Sequence, residues 1–315
     1  PEGYRSILHW GVTDLPPEER YPQQTGDQAI SFIQHADKPF CVCSSFSEPN
    51  ETLIVSRSTF ERYHPEDIHL PDNLHDQHSG KPGLYRREAG ITKDLSDEHW
   101  RMARTCYYGR ITELDDQFGR IVAQLEASDQ LENTIIILTA DHGRYVGNHG
   151  FDAHNIGAYD DIYNVPLIIA GPDVEHGECA STVNFHDLCP TICELTQSEL
   201  IDVPDSQSLV PQLETQVSES GPAYAENHGS RFRLTQRILW DGSWKFVFNG
   251  FDFDELYDLE TDPNELINLI DHPDQQERAD AMMRQIWERI KETGDRTLEE
   301  SHYFSLRLGR VGPLG

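Results

Sequence analysis

Between Asp97 and Ala127 the apolar residues Ile111, Leu114, Phe118, Ile121, Val122 and Leu125 recur at the spacing that places side chains on one helical face. The pattern predicts a long helix, in which Gly109 and Gly119 mark either a kink or the close approach of another element. Asp129-Gln130 closes it, and the period then changes. The β-branched run from Thr134 to Ala140 does not alternate, which predicts a strand covered on both faces. Val165 to Ala170 repeats this character and stops at Gly171-Pro172. Upstream, Ala29, Ile30 and Ile33 outline a short amphipathic helix over Asp27–His35, which leads into a compact strand over Phe40–Phe46. Glu51 to about Lys93 is rich in Pro, His and Asp with little periodicity, and reads as long loops. Helix, covered strand, loop and covered strand predict an α/β core.

Further on, Phe185–Leu195 predicts a helix with Pro190 near its start, and the polar stretch Glu199–Ser220 reads as a connector. From Arg231 to Asn249 the chain alternates like two antiparallel strands joined at Asp241-Gly242-Ser243. A turn-rich acidic stretch, Asp252–Asp262, precedes a helix from about Pro273 to Thr293 carrying Met282, Ile286 and Ile290. The change of period divides the chain in two. Residues 1–228 read as part of a large mixed sheet flanked by helices, and residues 229–315 as a small antiparallel sheet with one helix. No internal repeat is found.

Composition narrows the function classes. The chain has 315 residues and 37% hydrophobic content, enough for a sizeable core, and its formal net charge is −30. Nucleic acid and anionic membrane surfaces are poor partners for such a charge, because both require basic patches. No run of about 18 apolar residues is present, so nothing reads as a membrane span. The first residues show no signal-peptide pattern. An anionic substrate would need local positive charge, such as a metal ion, to enter against the global field. The acidity itself fits either adaptation to high salt or an ordinary acidic protein. Of six cysteines, Cys41 and Cys43 lie two apart in the predicted strand, and Cys189 and Cys193 have helical spacing. None has paired zinc spacing, so all six read as small hydrophobes in a reducing compartment.

Chemistry concentrates at Asp141-His142-Gly143, directly after the run Thr134–Ala140. Ligands of open α/β sheets bind at the carboxyl ends of strands, and an adjacent carboxylate and imidazole suit a divalent cation there. A plain Asp-His pair at a strand end is the alternative. Asn148-His149-Gly150, Asp152, His154 and Tyr159-Asp160-Asp161 follow closely. On these residues the sequence resembles the sulfatase family of the alkaline phosphatase superfamily. The resemblance runs from Asn133 through Gly143, through Gly147-x-His149-Gly150, and on to Ile169 and Gly171-Pro172. It extends over Tyr107-Tyr108-Gly109 to Leu125, Asp187–Thr191, Trp244–Asn249, Glu255–Leu259, Asp262-Pro263 and Asn268-Leu269, nearly the whole chain in order.

The resemblance implies an alkaline-phosphatase-like fold and metal-assisted hydrolysis of a sulfate monoester. It implies Asp141 and His142 as metal ligands, with calcium the expected ion and magnesium or manganese as alternatives. The family nucleophile is a formylglycine in a C-x-P-S-R-type motif, and two early Asp residues complete the metal site. Neither occurs here, so the segment bearing them is expected to be missing and the chain alone inactive. Where the family has a sulfate-contacting Lys, thirteen residues after Asp141, this chain has His154. An imidazolium can donate to an oxyanion or protonate a leaving group, which predicts a sharper pH dependence; a solvated loop histidine is the alternative. Where the family reads Pro-His, the chain has Pro49-Asn50, and Asn50 binds a substrate by hydrogen bonding but transfers no proton. His149 and His228 are the candidates to supply that proton, although His228 reads first as a structural residue near the strand Ala223–Glu226. Expected partners are a small-molecule or carbohydrate sulfate ester, the missing N-terminal segment or a second copy. A phosphate mono- or diester hydrolase and a non-catalytic binding module are the competing functions.

Overall fold

The computed structural model describes residues 9–37, 39–50, 52–154, 156–215, 221–229, 234–250, 252–295 and 309–312. Contacts group them into two compact units, the first from residues 1–76, 87–154 and 160–172, the second from 77–86, 155–159 and 173–315.

In the first unit, β1 (Trp10–Thr13) and β2 (Leu53–Ser56) pair in parallel, Trp10 opposite Leu53. The helix α1 (Tyr21–His35) lies between them in sequence, as parallel pairing requires of a crossover. After α2 (Arg57–Phe60) and α3 (Gly83–Thr92), of which only residues 87–92 belong to this unit, α4 (Asp97–Ala127) crosses the unit, capped by the Ser96 hydroxyl accepting from the His99 amide at 3.2 Å. Leu53, Val55, Leu74, Trp100, Ala103, Cys106 and Val146 form the core around it. Gly109 permits the contact with β2, since a Cβ there would stand 2.7 Å from a Val55 methyl. The glycine therefore marks close packing.

The strand β3 (Ile136–Thr139) pairs antiparallel with β6 (Leu167–Ala170), Ile136 opposite Ala170. Between them lie the short pair β4 (Tyr145–Val146) and β5 (Asp152–Ala153), and α5 (Asp160–Tyr163).

Several expectations need correction. The strands β3 and β6 are not covered on both faces: β3 is half-buried throughout, and Ile168 of β6 is 58% exposed. Each is the other's only strand partner among the described residues, so one pair carries what a wider sheet would cover. Phe40–Phe46 forms no strand, because no described neighbour supplies a ladder, and Cys41 and Cys43 are exposed. The predicted loop Glu51–Lys93 contains β2, α2 and α3. The helix α4 spans its expected residues, but its predicted face is only partly covered: Leu125 is buried and Leu114, Phe118, Ile121 and Val122 are half-buried. Ile111 is exposed, while Arg110, Glu113 and Gln117 are buried. Glu113 accepts from the Ser56 amide and from Arg20, each at 2.9 Å, so paired polar groups occupy positions that the apolar pattern assigned elsewhere.

In the second unit, α6 (Leu188–Leu195) and α7 (Val210–Thr215) precede a four-stranded antiparallel sheet of order β10-β9-β8-β7. Its strands are β7 (Ala223–Asn227), β8 (Gln236–Asp241), β9 (Trp244–Asn249) and β10 (Glu255–Asp258). The expected turn falls between β8 and β9, where Gly242 takes a φ of 60°. The helix α8 (Gln276–Thr293) lays Ala279, Met282, Met283, Ile286 and Ile290 on Leu239, Phe246, Phe248 and Leu256.

Candidate active site

The chain leaves β3 at Thr139 and reaches Asp141 two residues later. Gly143 then passes so close to α5 that any Cβ would collide with the Asp161 carbonyl oxygen, and its amide donates to the Ile162 carbonyl at 2.8 Å. Only glycine fits this approach, which fixes the two side chains before it. The Asp141 Oδ1 accepts from the His142 amide at 2.9 Å. The His142 Nδ1 lies 2.8 Å from the Gly143 carbonyl; a carbonyl only accepts, so Nδ1 carries a proton, and the tautomer that could ligate a metal has its lone pair on Nε2. That Nε2 stands 3.7 Å from the Asp141 Oδ2, with Asp141 85% and His142 34% exposed.

This geometry tests the implied metal. Donor atoms sit about 2.0–2.5 Å from a divalent ion. One ion can therefore meet the carboxylate oxygen and the imidazole lone pair together, and the Nδ1–carbonyl bond is the usual outer support of such a ring. The pair fits, but it is a fraction of a site: calcium takes about six to eight ligands. Among the described residues no group of three or more His, Cys, Asp or Glu gathers to hold a metal.

The ring of His154 stacks on that of His142, centroids 4.1 Å apart and planes at 25°. Asn50 reaches the same loop through Arg144, whose Nη1 donates to its Oδ1 at 3.1 Å. The other Arg144 nitrogen, Nη2, donates to Asp152 at 3.2 Å. Asp141, His142, His154 and Asn50 are thus gathered in one neighbourhood of the first unit.

His149 sits behind them. It is fully buried in a left-handed conformation (φ 54°), with Nδ1 2.8 Å from Asp76 Oδ2 and Nε2 3.8 Å from Asp161 Oδ2. Asn148 donates to the other oxygen of Asp161 at 2.5 Å. Burial leaves His149 no face toward solvent, and its geometry favours holding the loop over proton transfer to a substrate. His228 belongs to the second unit, just past β7, with Nε2 3.2 Å from Glu226 and Nδ1 3.4 Å from the Thr235 hydroxyl.

Sequence reading did not single out Arg144 or Asp76, and it named Asp161 only within the run Tyr159-Asp160-Asp161, with no role. Arg144 stands directly after the Asp-His-Gly run, so proximity was its one signal. Asp76 lies in a stretch without periodicity, and nothing local marks it as the partner of a histidine 73 positions away.

Comparison with known proteins gives the chain its relatives. The family model described as Sulfatase matches residues 4–198. The uncharacterized sulfatase YidJ of Escherichia coli is 30% identical over 256 residues, covering 80% of this chain and 51% of its own length. The choline-sulfatase of Rhizobium meliloti is 29% identical over 245 residues, covering 75% of this chain and 47% of its own length. The chain thus spans about half the length of these curated relatives. Among solved structures, the phosphonate monoester hydrolase of Agrobacterium radiobacter superposes with a TM-score of 0.78 at 22% identity, covering 92% of this chain and 64% of that one. At that identity the likeness shows the fold alone, an alkaline-phosphatase-like α/β architecture. The family match extends over more than half of the chain and includes the loop that carries Asp141, His142 and His154, and the chain accordingly belongs to the sulfatase family.

Proposed function

We propose that these residues supply the metal-and-anion half of a sulfuric ester hydrolase acting on a small-molecule or carbohydrate sulfate. One observation carries this reading: the Asp141 carboxylate and the His142 lone pair converge at 3.7 Å on the exposed side of a glycine-fixed loop. A divalent ion bound there, calcium in the first instance, would neutralise the ester oxygens. In this reading His154, whose ring stacks on that of His142, would donate a hydrogen bond to that anionic head, and Asn50 would help seat it. The membership of the family and the choline-sulfatase relative support a sulfate ester, as does a neighbouring structure of this fold solved with its substrate D-glucosamine-2-N,6-O-disulfate.

No cysteine of the chain begins a C-x-P-S-R motif. The reading therefore places the formylglycine nucleophile and the remaining metal ligands outside these 315 residues. The chain alone should not turn over aryl sulfates, and a protein joining it to a nucleophile-bearing segment should. Robust turnover by the purified chain would refute this placement. A phosphate or phosphonate ester is the second reading, favoured by the phosphonate hydrolase fold neighbour and by His154. Paired aryl sulfate and aryl phosphate esters decide between them. Preference for the phosphate ester would reassign the substrate, and inactivity on both in the joined protein would favour a non-catalytic binding module.

A further inference from the structure

The turn Ser47–Asn50 closes on a bond from the Asn50 amide to the Ser47 carbonyl at 3.1 Å, and two arginines grip it. Arg110 of α4 reaches Glu48 at 3.3 Å, and both side chains are almost fully buried. Arg144, 5% exposed, is held from its other side by Asp152, itself fixed by the register of β5 with β4. The turn is therefore pinned to the loop bearing Asp141 and His142, one arginine side chain away.

The chemistry of the Asn50 contact is one-sided. A guanidinium has five donors and no acceptor, so the group facing Arg144 must be the Asn50 oxygen. Its NH2 group is then turned the other way, on an exposed residue, and bonds to no described residue. We infer that Arg144 is a positioning residue that orients the Asn50 carboxamide so that it offers an N–H donor to the anionic head of the substrate. The inference rests on the ester-hydrolase reading above. With the opposite orientation the amide oxygen would meet the anion, and two acceptors carrying negative charge would repel. In a chain of net charge −30, a fixed neutral donor backed by a buried cation is a way to favour an anion locally.

Inorganic sulfate, with calcium present, is the probe, and proton–nitrogen correlation spectra of the whole chain follow the Asn50 side-chain amide. A saturable shift of that amide is expected. Asn50→Ala, an exposed substitution with little risk to the fold, should weaken sulfate binding about tenfold or more, the worth of one hydrogen bond to a charged group. Arg144→Met should lose as much, Arg144→Lys less, and the double variant Asn50→Ala/Arg144→Met no more than either alone, because one residue acts through the other. Thermal melting checks that Arg144→Met is folded; if it is not, Asn50→Ala and Arg144→Lys decide. Sulfate binding that Asn50→Ala leaves unchanged, or losses that add in the double variant, would overturn the inference and leave the ester reading standing. No sulfate binding by the wild-type chain would overturn the inference, which needs a working anion seat within these residues; the ester reading is tested separately, by turnover in the joined protein.

Discussion

Asp254 holds its proton to about pH 6, because burial disfavours its carboxylate more than the Asn249 amide, the strongest group opposing it, can offset. Its folded pKa lies above the unfolded value, so between about pH 4 and 6 the native state binds the extra proton. Stability contributed by this group is present at low pH and is lost as pH rises through that window, by about 2–3 kcal/mol. Asp254→Asn should remove that slope and raise the urea midpoint at neutral pH. An unchanged slope in the variant would show that other groups set it. At this scale the sequence is legible only where partners are neighbours. Asp141 and His142 are adjacent, so their pairing could be anticipated. The Asn50–Arg144 contact spans 94 positions and the His149–Asp76 contact 73, and only the fold brings such pairs together.

Helix α4 shows what an element does and does not declare. Its span was readable from the spacing of its apolar residues and from Asp129-Gln130 just past its end, where Asp129 takes a φ of 56°. Its most buried positions were only partly readable, because Glu113 and Arg110 bury their charges through partners on other elements. The strand over Phe40–Phe46 failed for a related reason: β propensity is realised only when a neighbour completes the ladder. Gly109 gives the element-scale test. Gly109→Ala brings a Cβ against Val55, and overpacking of this kind costs about 1–3 kcal/mol, although the helix itself would favour alanine by up to about 1 kcal/mol. Denaturant unfolding should therefore show net destabilisation in Gly109→Ala and recovery in Gly109→Ala/Val55→Ala. Stabilisation by Gly109→Ala alone would mean that α4 and β2 are not packed as described.

At the scale of the molecule, the acidic charge is the dominant feature. A net charge of −30 stores self-repulsion that salt screens, so the melting temperature should rise from low to molar sodium chloride. A flat response would argue that local ion pairs already balance the surface. Fold class was legible because a non-alternating strand run and the helical periods identify an α/β chain. The breadth of sheet cover was not, since the pattern within one strand does not tell how many strands flank it. All of the functional reading depends on a cation at Asp141 and His142. Manganese, paramagnetic and a fair mimic of calcium, reports this directly by broadening nearby resonances. The account predicts broadening centred on Asp141, His142 and His154, reversed by calcium and absent in Asp141→Asn; broadening spread over the acidic surface, and unchanged in that variant, would contradict it.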